Sequence, residues 1–184
     1  MKTLTLLRHA KSDQGEPGLR DYDRPLNAKG QRAAATMGRH WRGLGAGFDH
    51  VIASPAARVI ATLDHFQRGF GALPTPAYDK RAYLASEIVL LELIRAADDA
   101  HDRLLVAGHN SGLEDLVLLL VPDSPPGTGD DRLRDDIEEK FPTASIAELR
   151  FDVARWADIG ESGAKLTRFV RPRDLDSALG PDAN

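Results

Sequence analysis

Short, continuous apolar runs alternate with longer segments of helical periodicity along most of this 184-residue chain. Such runs are typical of strands that are buried on both faces of a sheet. They predict strands at 3–7, 49–53, 103–107, 144–152 and 164–170. The periodic segments predict helices at 28–43, 55–68, 87–98 and 111–120. This alternation predicts an α/β fold, a three-layer α/β/α sandwich around a mainly parallel sheet.

Two segments depart from the alternation. Residues 121–139 begin with proline and glycine and continue as an acidic, charged stretch. This composition predicts a mobile acidic loop at the surface, with a lid over the substrate as the alternative. The tail over 175–184 is predicted to be frayed, and the last two strands to form a hairpin around Trp156. We therefore expect a single domain over 1–184.

Composition limits the possible functions. With 42% hydrophobic and 28% charged residues, the chain has the composition of an ordinary soluble protein. A formal net charge of −4 argues against a general binder of nucleic acid or of anionic membranes. The absence of cysteine excludes disulfides and thiol catalysis, and is compatible with a cytoplasmic location. The apolar run before Arg8 is too short for a signal peptide or a membrane span.

Side chains suited to phosphate chemistry stand at the end of the first predicted strand. Arg8 and His9 follow its apolar run directly. Arginine presents a planar fork of donors that matches phosphate oxygens two at a time. Histidine offers a ring nitrogen that can be uncharged and nucleophilic near neutral pH. The pair predicts a phosphate site at this strand end.

Two further strands end in comparable residues. Ser54-Pro55 begins a predicted helix with Arg58 in its first turn, where a helix N-terminus favours anions. Gly108-His109-Asn110 follows the strand at 103–107. Because ligands of open α/β sheets bind outside the carboxyl ends of the strands, the three segments predict one site for a phosphoryl group.

These motifs together resemble the histidine phosphatase superfamily, which includes the phosphoglycerate mutases. The opening segments 8–12 and 23–30 are similar to its branch of small bacterial phosphohistidine phosphatases, the SixA type. The resemblance covers nearly the whole chain, since 140–143 and 169–173 also match the C-terminal part of that branch. It implies a phosphoglycerate mutase-like fold and a phosphohistidine enzyme intermediate.

The resemblance also implies a role for each motif residue. His9 is the expected nucleophile, with its other ring nitrogen held by a nearby backbone carbonyl or turn group. Arg8 and Arg58 are expected to clamp the phosphoryl oxygens. His109 is expected to donate a hydrogen bond to the phosphoryl group in its charged form, and the backbone around Asn110 to add an amide donor. No cofactor is implied, and no histidine and carboxylate cluster has the spacing of a metal site.

One departure from the superfamily bears on the substrate. Mutases and broad phosphatases carry an acidic residue near 80–87, which protonates the leaving oxygen. Glu87 is the only carboxylate in that region here, and its place in the first turn of a helix has an ordinary explanation in the helix dipole. An alkoxide needs a proton to leave, whereas the imidazole of a phosphohistidine leaves more easily. The sequence therefore favours an N-phosphoryl substrate over a sugar phosphate.

The sequence thus predicts a metal-independent phosphatase whose partner is a phosphohistidine-bearing protein. A small-molecule phosphomonoesterase is the alternative within enzymes, and the acidic stretch argues against compact anionic metabolites as its substrates. A non-catalytic module that binds phosphate is the other alternative, although binding alone would not require His9. No nucleic-acid or membrane partner is expected, and the oligomeric state does not follow from the sequence.

Overall fold

Six strands form one sheet in the computed structural model, which describes residues 1–123 and 132–181. They are β1 (Lys2–Arg8), β2 (His50–Ala53), β3 (Ala77–Tyr78), β4 (Arg103–Gly108), β5 (Ile146–Phe151) and β6 (Ala164–Val170). The order is β3-β2-β4-β1-β5-β6, in which the first four strands are parallel and β5 and β6 run antiparallel to their neighbours. The sheet is therefore mainly parallel, as the sequence predicts.

Helices cover both faces of this sheet. The described residues form α1 (Ala28–Gly43), α2 (Ala57–Phe70), α3 (Glu87–Arg95), α4 (Gly112–Leu120), α5 (Arg132–Glu139) and α6 (Pro172–Leu175). Buried residues of α1 and α2 share one hydrophobic core, and those of α3, α4 and α5 share the other. None of the helices in this described part of the chain is long and apolar enough to cross a membrane.

The central strands are continuously apolar because they contribute to both cores. Leu4 and Leu6 lie in the core beside α3 and α4, and Leu7 lies in the core beside α1 and α2. In β4, Leu104 lies in the core beside α3 and α4, and Leu105 lies in the core beside α1 and α2. All five side chains are fully buried. The fold is thus the predicted three-layer α/β/α sandwich.

The expectation of a loop over 121–139 is wrong for 132–139, which form α5. Leu133 and Ile137 are four residues apart and therefore share one face of the helix. Ile137 is fully buried, and Leu133 packs against the same core. Burial of this apolar face stabilises a helix that the charged composition of the segment does not indicate. Residues 124–131 of the predicted loop lie outside the described part of the chain.

The expected fraying of the tail is also wrong over its first part. Leu175 and Leu179 pack against the core that contains α1, and Lys29 donates a hydrogen bond to the carbonyl oxygen of Gly180. The tail is thereby attached to the α1 side of the sheet. The hairpin forms as predicted from β5 and β6, and Trp156 between them is fully buried. Residues 182–184 lie outside the described part.

Two glycines allow α1 and α2 to pack closely. A Cβ atom on Gly38 would lie 2.1 Å from the carbonyl oxygen of Phe66, and one on Gly69 would lie 2.1 Å from that of Ala35. Both contacts are with backbone, so relief requires the helices to move apart.

We expect Gly38→Ala to lower the free energy of unfolding by roughly 2 kcal/mol or more, because overpacked interiors are destabilised by this amount. Urea unfolding followed by circular dichroism measures the change. Gly43→Ala, in the same helix, is the matched control, since no atom would lie within 4 Å of its new Cβ. Equal unfolding midpoints for the two variants would contradict the close helix contact.

Candidate active site

Three neighbouring strands end together at one edge of the sheet. Arg8 at the end of β1 is in register with Gly108 at the end of β4. The amide of Ser54, just after β2, donates to the carbonyl oxygen of Ala107 at 3.0 Å. Because β2, β4 and β1 are adjacent in the sheet, the residues that follow them converge. The three motifs separated in sequence therefore meet in space.

His9 is held in a single tautomer. Its Nδ1 lies 2.8 Å from the carbonyl oxygen of Ala10. Since a carbonyl only accepts, Nδ1 carries the proton and Nε2 keeps a lone pair. Burial lowers the pKa of His9 to about 4; the Ala10 hydrogen bond opposes this effect, and nearby arginines reinforce it. His9 is therefore neutral at pH 7, with Nε2 able to act as a nucleophile.

Arg58 is a buried guanidinium with a fixed orientation. It lies in the first turn of α2, and its side chain is only 4% exposed. Its Nη1 donates to the backbone oxygen of Asp21 at 2.6 Å, and its Nη2 lies 3.0 Å from the Asp21 carboxylate. Nη2 also lies 3.2 Å from Nδ1 of His109. These contacts orient the planar fork toward the second histidine.

His109 faces His9, with a ring-centroid distance of 5.3 Å. Because the Arg58 guanidinium only donates, Nδ1 of His109 accepts, and Nε2 carries the proton that it donates to Ser54 Oγ at 2.8 Å. Burial, followed by the proximity of the His9 ring and of the Arg58 guanidinium, lowers the pKa of His109 to about 3. His109 is therefore neutral in this structure. The charged form implied by the resemblance requires a bound anion beside the ring.

Arg8 and Asn110 are joined through one carbonyl group. Nη1 of Arg8 donates to the backbone oxygen of Phe141 at 2.6 Å, and the Asn110 amide lies 3.4 Å from the same oxygen. Asn110 also donates to Glu114 at 2.8 Å, so its side chain links the residues that follow β4 to α4. The buried Nε of Arg8 has no hydrogen-bond partner among the described residues. Arg8 thus keeps a buried donor for a further acceptor.

Asp21 and Tyr83 are parts of the site that sequence reasoning missed. The Tyr83 hydroxyl donates to Asp21 Oδ2 at 2.7 Å, and the Tyr83 ring packs edge-on against His109. The Tyr83 hydrogen bond, together with those from Arg58 and Arg24, lowers the pKa of Asp21 to about 2. Asp21 is therefore ionised, which suits it to orient Arg58 and not to donate a proton. No pattern in the polar loop around it signals this contact.

Glu87 stands where the sequence predicts, as the first residue of α3. Ser86 caps this helix by accepting from the amide of Val89. Within the described part of the chain, Glu87 makes no hydrogen bond or ion pair with Arg8, His9, Arg58 or His109. Its place at the helix N-terminus accounts for a carboxylate through the helix dipole.

The half-buried His9 and the buried His109 predict a pH dependence of stability. The usual pKa of 6.5 falls to about 4 in His9 and about 3 in His109, so between these values the unfolded chain binds protons that the native state excludes. The free energy of unfolding is therefore expected to fall as the pH drops from about 6.5 toward 4. Urea unfolding at several pH values measures this slope. His109→Asn should make this slope shallower, because the number of protons taken up on unfolding falls by up to one. An unchanged slope would contradict the neutral, buried state of His109.

Comparisons with known proteins identify the family of this chain. The family model of the histidine phosphatase superfamily (branch 1) matches residues 4–81. The uncharacterized protein Rv1276c of Mycobacterium tuberculosis H37Rv is 37% identical over 168 residues, which are 91% of this chain and 100% of the relative.

Solved structures extend the likeness to the fold. A protein described as phosphohistidine phosphatase SixA from Nakamurella multipartitia is 30% identical, with a TM-score of 0.79, covering 93% of this chain and 96% of that one. A second SixA protein, from Agrobacterium tumefaciens, is 28% identical, with a TM-score of 0.75 and coverage of 93% and 98%. The chain therefore belongs to the histidine phosphatase superfamily, in its SixA-type branch. Its fold is that of this superfamily, and the protein is a phosphatase.

Proposed function

We propose that this phosphatase hydrolyses phosphohistidine on proteins, without a metal ion, through a phosphoryl group carried by His9. The observation that carries the proposal is the neutral His9 with its proton fixed on Nδ1 by the Ala10 carbonyl. In the first step Nε2 attacks phosphorus and the bond to the substrate imidazole breaks. In the second step water attacks phosphorus, the bond to Nε2 breaks, and inorganic phosphate leaves.

The clamp around the phosphoryl group is cationic and preformed. Arg8 offers its buried, unpartnered Nε, and Arg58 offers a guanidinium fixed by Asp21. His109 takes up a proton when the anion binds, and the backbone at Asn110 adds a donor. Charge on the transferring group is thereby neutralised by side chains, the task that metal ions perform in other phosphatases. The described residues contain no cluster of potential metal ligands.

The substrate class rests on the leaving group. Asp21 is ionised and Glu87 makes no contact with the clamp, so neither is in place to protonate an alkoxide. Imidazole leaves from phosphorus more readily than an alkoxide does. The names of the two solved SixA relatives point to the same substrate. We place this activity in the cytoplasm, as a chain without cysteine allows.

A substrate panel in the presence of EDTA tests this function. We expect kcat/KM to be at least about tenfold higher for phosphohistidine peptides and aryl phosphates than for 3-phosphoglycerate or glucose 6-phosphate. Activity should be the same with and without EDTA. A sugar phosphate as the best substrate would contradict the phosphohistidine assignment. Activity lost in EDTA and restored by magnesium or zinc would contradict the metal-free mechanism.

A further inference from the structure

A cavity of about 340 Å³ adjoins the active site through Arg8, and its walls are cationic. It lies between α1, the segment after α5 and the C-terminal segment. All its charged lining residues are lysine or arginine, namely Arg8, Lys11, Lys29, Lys140, Arg171 and Arg173. No carboxylate is among the described residues that line it. This concentration of positive charge stands in a chain whose formal net charge is −4.

The cations differ in how far carboxylates already neutralise them. Arg171 is paired with Asp136 at 3.2 Å and with Asp174 at 3.0 Å, both from outside the lining. Lys140 and Arg173, in contrast, are exposed and form no ion pair with other described residues. Their charge faces solvent and any ligand that enters. Lys140 and Arg173 therefore bring to the cavity positive charge that no described carboxylate neutralises.

The size and walls of the cavity indicate its ligand. Its volume falls within the range of small-ligand pockets, which begins at roughly 300 Å³. Pro142 and Pro172 add rigid apolar surface between the cations. Clefts lined by charges of one sign concentrate ligands of the opposite sign. A group of two or three carboxylates or phosphates fits this combination of volume and charge.

We propose that this cavity binds an acidic segment of the phosphorylated protein, next to the phosphohistidine whose phosphoryl group enters the clamp. The inference rests on the proposed function, because Arg8 belongs to both the clamp and the cavity wall. Substrates with carboxylates beside the phosphorylated residue are therefore preferred. Asp136 of α5 does not oppose this preference at the cavity, since it is paired with Arg171.

A small bisphosphate carries the same kind of anionic group. We favour the acidic peptide because the proposed substrate is a protein and because the cations of the cavity wall come from separate parts of the chain: the end of β1, α1, the segment after α5 and the C-terminal segment. A chain segment can contact such a wall through several side chains.

Charge reversal tests the inference. The double variant Lys140→Glu/Arg173→Glu changes two exposed cations of the cavity, and Arg68→Glu/Lys165→Glu changes two exposed cations outside it. The probes are two phosphohistidine peptides of equal length, one with glutamate and one with glutamine around the phosphohistidine, and p-nitrophenyl phosphate. Titrations of the unphosphorylated glutamate peptide and of inorganic pyrophosphate measure binding without catalysis.

We expect the wild type to hydrolyse the glutamate peptide with kcat/KM about tenfold higher than the glutamine peptide at low salt. The cavity variant should lose this preference and bind the unphosphorylated glutamate peptide about tenfold more weakly, while the control variant keeps both properties. Hydrolysis of p-nitrophenyl phosphate should stay within about twofold in all three proteins, because it has no second anion.

Four results would overturn either the inference or the proposed function on which it rests. Equal kcat/KM for the two peptides in the wild type would overturn the proposal that the cavity binds an acidic segment. A preference for the glutamate peptide that survives in the cavity variant would overturn it as well. A larger loss of pyrophosphate binding than of peptide binding would assign the cavity to a small bisphosphate instead. Charge-dependent peptide binding without hydrolysis of any phosphorylated probe would contradict the proposed function and leave the cavity assignment standing.

Discussion

We expect His9→Ala to lower kcat/KM for a phosphohistidine peptide by roughly 10⁴-fold or more, equivalent to about 5.5 kcal/mol of transition-state stabilisation. The loss is large because the phosphoryl group has no other acceptor at the end of β1. Steady-state release of inorganic phosphate measures it.

His65→Ala is the matched control, since His65 lies on α2 outside the clamp. Its activity should stay within about twofold of the wild type. Unfolding curves of both variants separate loss of chemistry from loss of structure. Activity of His9→Ala within tenfold of the wild type would exclude His9 as the nucleophile.

Arg58→Lys should lower kcat/KM by about a hundredfold, close to 3 kcal/mol, although the charge is kept. A lysine ammonium is a point charge and cannot reproduce the planar fork that contacts both the Asp21 backbone oxygen and its carboxylate. Steady-state kinetics with p-nitrophenyl phosphate and with a phosphohistidine peptide measure the effect.

Arg68→Lys on the same helix is the conservative control, and we expect it to behave as the wild type. Asp21→Asn should cause a smaller loss than Arg58→Lys, because it weakens the orientation of the guanidinium without removing it. Near wild-type turnover of Arg58→Lys would show that the bidentate fork is not used in the transition state.

The convergence of the motif residues could be predicted because it follows from the sheet. Apolar runs end directly at Arg8, Ser54 and Gly108, and adjacent parallel strands bring their carboxyl ends to one edge. The need for a backbone acceptor at His9 was also predictable from imidazole chemistry. Its identity as the Ala10 carbonyl was not, since it depends on how the chain turns after β1.

The missed features depend on contacts distant in sequence. Asp21 reaches Arg58 from a single 3₁₀ turn within a polar segment, and neither its spacing nor its neighbours mark that contact. β3 has only two residues, both exposed, and is defined by pairing with β2. A signal for α5 did exist, because Leu133 and Ile137 have helical spacing, but the surrounding charges outweighed it. The cationic cavity joins α1 to the C-terminal segment, whose attachment no local pattern predicts.

The phosphoenzyme itself provides the most direct test of whether His9 carries the phosphoryl group. Rapid quench of the wild type with a ³²P-labelled phosphohistidine peptide, followed by peptide mapping, measures where the phosphoryl group resides during turnover. We expect label on His9 that is lost in acid, survives base, and is absent from His9→Ala. Acid-stable label, or label that persists in His9→Ala, would contradict it.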